Sequence, residues 1–265
     1  MNQKSTCFFY AQNSEKGENS MRYKTNLDAV KHVAISLLHT HINETKFSPM
    51  VVQHPFTSSG FVGISNNGEM ELLNILESME SKKKWQEFME KQITNADSVY
   101  RIFMMVNKPY ALTFLKLASK HLSFDDFSRI LGDAWVMSEN PNGDANVTQG
   151  ELIDFFEAAD PEVIMTPEER KQLDELDDTV TVYRGVTSYN ADNVLALSWS
   201  LEYDTANWFA HRFDEDGTVY QAQIDKKHIL ALFNGRNEAE VIVNPHCLTQ
   251  VMVAEEMNQG FTQSM

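Results

Sequence analysis

Three short clusters in the last part of the chain carry side chains suited to chemistry on a charged ligand. Glu238-Ala239-Glu240 heads the apolar run Val241-Ile242-Val243. That pattern predicts a strand with both carboxylates on one face, about 7 Å apart at a rise of roughly 3.4 Å per residue. Carboxylates so close repel each other, so a strand that only packs gains nothing from pairing them. Paired in a cleft, they can stabilise a developing positive charge and take up a proton. Upstream, Val180-Thr181-Val182-Tyr183 runs into Arg184-Gly185. An arginine at a strand end presents a guanidinium fork to phosphate, and the glycine lets backbone approach a ligand closely. Between the two lies Leu197-Ser198-Trp199-Ser200, a strand with Ser198 and Ser200 on one face. Taken singly, each cluster also has a plain reading: a solvated strand start, a common Arg-Gly strand end and a half-exposed polar face.

The elements that must position these groups change character along the chain. The first two-thirds reads as helical. A helix over 27–38 follows Thr25-Asn26-Leu27-Asp28, which has the form of a capping box. A β-leaning piece over 50–65 precedes a long amphipathic stretch through Leu72, Leu73, Leu76, Met79, Trp85 and Phe88. Further helix starts are legible at Pro109, Ser123, Thr148 with Glu151, and Thr166 with Pro167 and Glu169. After the acidic segment 174–178, short β-type runs cover 180–183, 194–200, 219–224, 229–233, 239–243 and 249–253. One helix interrupts them, over 203–212, with Ala206, Phe209, Ala210 and Phe213 on one stripe. Helices first and strands second predict an α+β protein, with a mainly helical region at 1–165 and a β-rich region at 166–265.

Composition narrows the function classes. With 265 residues and 42% apolar content the chain can bury a full core. Its 22 Lys+Arg against 38 Asp+Glu give a formal charge of −16, which disfavours broad electrostatic capture of nucleic acid. A local basic pocket remains open to Arg184, His211, Arg212 and Arg236. The sequence shows no apolar stretch of signal-peptide length at its start and no run near the roughly twenty residues needed to span a bilayer. A cytoplasmic protein without a membrane partner is therefore expected, with Cys7 and Cys247 as reduced thiols. Residues 140–151 imitate a calcium loop, but Ala145 stands where the sharp turn needs glycine and Asn140 lacks a charge. A polar helix-to-helix loop ending in a Thr148/Glu151 cap is expected there instead. No metal is expected, and templates for phosphate-binding loops and dinucleotide folds are absent.

Taken in order, aromatic-Arg-Gly, then Ser-x-Ser before an aromatic helix, then Glu-x-Glu opening a strand resemble the Arg-Ser-Glu class of mono-ADP-ribosyltransferases. The resemblance spans residues 180–245, under a third of the chain. It implies an ADP-ribosyltransferase-like core of two packed, mostly antiparallel β-sheets around an NAD cleft. NAD would be a consumed substrate rather than a cofactor. Its nicotinamide would be released through a ribose resembling an oxocarbenium ion, which a neighbouring carboxylate stabilises. Glu240 matches the family's catalytic glutamate, and Glu238 would orient or deprotonate the acceptor. Arg184 matches the arginine on the pyrophosphate side, with Gly185 beside it. Ser198 matches the serine that orients the glutamate and the nicotinamide ribose, and Ser200 supports the strand on the same NAD-binding face. Trp199 stands where the family usually has threonine. The loop 233–237, with Phe233 and Arg236, lies where such enzymes recognise the acceptor, although an ordinary turn fits it equally well. Glutamate at the first position of the pair goes with arginine acceptors, so the expected target is a protein arginine. The expected setting is a phage host-takeover factor or a bacterial toxin, with an antitoxin or inhibitor as a further partner. The same chemistry on a nucleic-acid base is the first alternative. A binding protein that keeps the fold without turnover is the second.

Overall fold

The side chains of Asn26, Ser78, Ser98, Ser123, Thr148 and Thr166 cap helix starts in the computed structural model, which describes residues 23–66, 68–212 and 215–254. Cys7, Phe213 and the N-terminal segment read for export signals lie outside the described residues. The chain divides into two compact units, Met1–Ile164 and Met165–Met265. Helix and antiparallel sheet coexist in both, and the architecture is α+β.

The first unit holds α1 (Leu27–Leu38), β1 (Asn43–Glu44), β2 (Val52–Gln53), β3 (Phe61–Asn66) and β4 (Glu69–Asn74). There follow α2 (Met79–Thr94), α3 (Val99–Phe103), α4 (Ala111–Ala118), α5 (Phe124–Met137), α6 (Gln149–Ala158) and α7 (Pro161–Ile164). Asn26, not Thr25, caps α1, accepting from the Ala29 amide at 3.1 Å. Thr25 is drawn away because its hydroxyl donates to Asp126 and accepts from the Ser123 amide at the start of α5. The amphipathic stretch expected through Leu72 is also corrected. Leu72 and Leu73 belong to β4, which pairs with β3, and α2 begins only after its Ser78 cap. Gly68, at φ +90°, makes the turn between the two strands, a backbone state that glycine adopts without strain. Leu73 then packs inward and Leu72 outward, the alternation of a strand.

Large aromatic side chains sit among the aliphatic ones in the core of this unit. Phe103, Phe114, Phe127 and Trp135 are fully buried, with Trp135 edge-on to Phe156 at 5.0 Å and Phe127 edge-on to Phe155 at 5.7 Å. In the loop that imitates a calcium site, Asp144 instead accepts from the amides of Asn146 and Val147. Glu151 closes a capping box with Thr148 and binds Lys116 at 2.9 Å. Among the described residues no helix is long and apolar enough to cross a membrane, and no group of three His, Cys, Asp or Glu could hold a metal ion.

The second unit comprises α8 (Pro167–Asp174), β5 (Thr179–Val186), β6 (Ser198–Ser200), α9 (Tyr203–His211), β7 (Thr218–Asp225), β8 (Ile229–Phe233), β9 (Glu240–Val243) and β10 (Thr249–Val253). Its strands form one antiparallel sheet in the order β10-β7-β5-β6-β9-β8. Two separate sheets were the expectation. The strands hydrogen-bond as one because Tyr183 of β5 pairs with Ser200 of β6, the single residue pair joining two three-stranded halves. Strand β6 is shorter than the run 194–200 because a helical turn over Ala191–Asn193 carries Val194 in right-handed helical backbone. Helix α9 lies on β5 and β7, with Ala206 and Ala210 packed against Val219 and Tyr203 edge-on to Tyr183 at 5.7 Å.

One buried histidine ties the first unit to pH. His54 is fully buried, edge-on to Trp85 at 5.3 Å, and its Nδ1 accepts from the Phe56 amide at 3.1 Å. Burial pushes its pKa from 6.5 to about 4, with the backbone of Leu38 and Thr40 pulling the other way and the charge of Lys82 adding to the fall. Between those values the unfolded chain holds the extra proton, so stability contributed by neutral His54 is present above pH 6.5 and is lost as pH falls toward 4. Denaturant unfolding across that window should show up to roughly 3 kcal/mol of loss. The variant His54→Leu should lose markedly less, and equal slopes for the two proteins would contradict this assignment.

Candidate functional site

Alternation along β5 buries Val180, Val182, Arg184 and Val186 on one face and turns Thr181, Tyr183 and Gly185 to the other. Arg184 is thus a cation among apolar neighbours, only 9% exposed. Its Nη1 donates to the carbonyl of Ser198 at 2.6 Å, while its Nε has no partner. Burial pushes its pKa down to about 10, opposed by the charge of Glu240. It therefore keeps its charge at neutral pH, in a place where a charge is costly unless it is compensated.

Strands β6 and β9 bring the compensating acid. Ser200 pairs with Glu240 and Ser198 with Ile242, so both serines and the glutamate share a face. The Ser198 hydroxyl donates to Glu240 Oε1 at 2.5 Å. Ser198 therefore links the two charged groups, taking Arg184 on its carbonyl and holding Glu240 with its hydroxyl. Trp199 is buried, and its indole N–H donates to the Ala196 carbonyl at 2.9 Å. Ser200 has a scaffolding task. Its hydroxyl donates to the carbonyl of Glu238 at 2.8 Å and accepts from the Glu202 amide at 3.0 Å.

The reading of Glu238 and Glu240 as neighbours on one strand face is corrected. Strand β9 begins at Glu240, and the residue before it, Ala239, has φ +42°. Left-handed backbone costs an alanine about 1 kcal/mol, so it persists only where surrounding bonds impose it. Here the Leu201 amide donates to the Ala239 carbonyl at 3.0 Å, beside the Ser200 bond to Glu238. What brings the two carboxylates together is Arg236. Its Nε lies 3.2 Å from Glu238 Oε2 and its Nη2 lies 3.6 Å from Glu240 Oε2. Burial, partly offset by Arg236, raises the Glu238 pKa above the ordinary carboxylate value; Glu240 adds to the rise and Arg212 opposes it.

The other end of this loop is held by a residue that sequence reasoning missed. Glu169 caps α8 through Oε2, and its Oε1 accepts from the Asn234 amide at 2.7 Å. The capping box was legible, but the second use of the carboxylate depends on tertiary contact. Arg212 also belongs here, stacked over the Phe209 ring at 5.0 Å while acting on Glu238. Of the four residues expected to form a basic pocket, the three arginines gather around the glutamates. His211 instead lies exposed, with Nδ1 2.9 Å from the Asn207 carbonyl.

Two further expectations change. Gly185 does not open the backbone to a ligand: a Cβ there would sit 2.1 Å from the Ala206 carbonyl oxygen and 2.6 Å from the Ala210 nitrogen. Its missing side chain admits α9. Phe233 is buried at the end of β8, paired with Glu240, so its ring packs the sheet and is withheld from an acceptor. Arg236, 40% exposed in its side chain, stays at the surface on its own carboxylates.

No family model, curated protein or solved structure matches this chain.

The close fit at Gly185 has a direct consequence. Because the blocking atoms are helix backbone, Gly185→Ala should destabilise the protein by about 2 kcal/mol or more, read as a lower denaturation midpoint. An unchanged midpoint would contradict the packing of α9 on β5.

Proposed function

We propose that this chain is an NAD-dependent mono-ADP-ribosyltransferase, and that its sheet unit is the catalytic core of that fold. The observation that carries the reading is the double role of Ser198, which joins Arg184 and Glu240 from three separated segments. That trio is the one the family resemblance named.

In this reading the Arg184 guanidinium offsets the pyrophosphate charge of NAD. Glu240, fixed in orientation by the Ser198 hydroxyl, stabilises positive charge on the ribose as the bond from its C1 to the nicotinamide nitrogen breaks. Nicotinamide leaves with the electron pair of that bond. An acceptor nitrogen then bonds to C1, and Glu238 takes its proton. The raised pKa of Glu238 suits it to that step, since a base works best near the operating pH. The acceptor is a protein arginine, and the protein acts in the cytoplasm as a phage host-takeover factor or toxin. A second reading, transfer to a nucleic-acid base, draws on Trp208. It is 62% exposed and edge-on to Phe209, next to the Arg212 stack, a surface on which a base can lie. The charge of −16 weighs against it.

Labelled NAD incubated with the protein and a cell lysate should place label in protein, resistant to nuclease. Loss of label to nuclease would support the second reading, and no label with no nicotinamide release would leave a binding protein. The variant Glu240→Ala should lower nicotinamide release by roughly a hundredfold or more. The variant Glu238→Gln should impair transfer far more than NAD hydrolysis. As pH falls, transfer should fail at a higher pH than an ordinary glutamate would dictate, because protonated Glu238 cannot accept the acceptor's proton.

A further inference from the structure

The guanidinium of Arg236 already sits on Glu238 as an arginine acceptor would have to, and it reaches Glu240 as well. It spans both carboxylates, with Nε 3.2 Å from one and Nη2 3.6 Å from the other. A guanidinium can do this because its donors form a rigid planar fork, whereas an ammonium is a point charge. We infer that Arg236 fills the acceptor position in the free protein, so that an incoming guanidinium must displace it. This inference rests on the reading of Glu238 as the group that receives the acceptor.

The loop is built for such a displacement. One end is pinned by the Asn234 amide on Glu169, and the other by the Glu238 carbonyl on Ser200. Between the pins, residues 234–237 are exposed, and a Cβ at Gly235 would meet nothing within 4 Å. Asn237 sits at φ +55°, a conformation that asparagine tolerates better than most residues but that is still strained. Release of Arg236 can therefore be absorbed by 235–237 while Ser200 keeps its bond to the Glu238 carbonyl and Ser198 its bond to the Glu240 carboxylate. The exchange costs little, since the entering guanidinium restores the ion pairs that Arg236 gives up. It also discriminates by shape: a lysine-type amine cannot bridge both acids in the same way. Until a fitting acceptor arrives, Arg236 keeps the carboxylate pair covered.

The test is calorimetric titration of agmatine, a small guanidinium compound, into the full chain without NAD. Putrescine serves as the amine control. R236A should bind agmatine about three- to tenfold more tightly than wild type, the range set by ion pairs to the partly exposed Glu238 and the buried Glu240. R236K, which replaces the fork with an ammonium, should fall between them. Adding Glu238→Gln to R236A should remove the gain, and putrescine should show little of it. If R236A binds agmatine no more tightly than wild type, or if the gain survives Glu238→Gln, Arg236 does not occupy the acceptor position. Nicotinamide release is measured beside it. Its absence from wild type would overturn the proposed function, whereas the agmatine titration decides the role of Arg236 without any turnover.

Discussion

A positive charge turned inward on a strand has to find an acid, and in this protein that requirement organises the whole sheet unit. Arg184 faces inward because it falls on the same alternation as Val180, Val182 and Val186. Its cost is met by the Ser198 carbonyl at 2.6 Å and by the charge of Glu240, which Ser198 holds with its hydroxyl. Truncating any one of the three would leave a charge or a donor stranded in a poorly solvated place. The same economy explains the sheet. Strands β5, β6 and β9 must lie side by side for one serine to reach both charges, and a single pair, Tyr183 with Ser200, joins the halves that carry them.

A second layer of bonds fixes the acidic loop on that base. Ser200 and Leu201 hold the peptides of Glu238 and Ala239, and Glu169 holds Asn234 from the first turn of α8. The left-handed turn at Ala239 is the strain this framework carries. It lets Glu238 leave the strand and meet Arg236, which an extended Glu-x-Glu would not do in this way. Helix α9, admitted by the bare Gly185, brings Arg212 and its Phe209 stack to the same neighbourhood.

Much of this was legible in the residues. The caps of α5, α6 and α8 and the strands β5, β7, β8 and β10 follow from local pattern, whereas the convergence of Arg184, Ser198 and Glu240 was expected only from the family resemblance. What could not be read depends on contacts between distant segments. Thr25 had the form of a cap, but Asp126 and Ser123, about a hundred residues away, claim its hydroxyl. Leu72 and Leu73 fit a helical stripe as well as a strand until the turn at Gly68 decides. Gly185 looked like an opening for a ligand because the sequence does not say which partner fills the gap. The geometry of Glu-x-Glu failed for a different reason: period-two alternation assumes extended backbone, and Ala239 does not supply it.

The most direct measurement is nicotinamide release from NAD by wild type and by Ser198→Ala, with the unfolding midpoint of each recorded. Wild type should release nicotinamide, and the variant should do so roughly a hundred- to a thousandfold more slowly while remaining folded, as expected when one oriented donor is removed from a charged centre. Full turnover by the folded Ser198→Ala protein would show that the Ser198 hydroxyl on Glu240 is not the hinge of the chemistry.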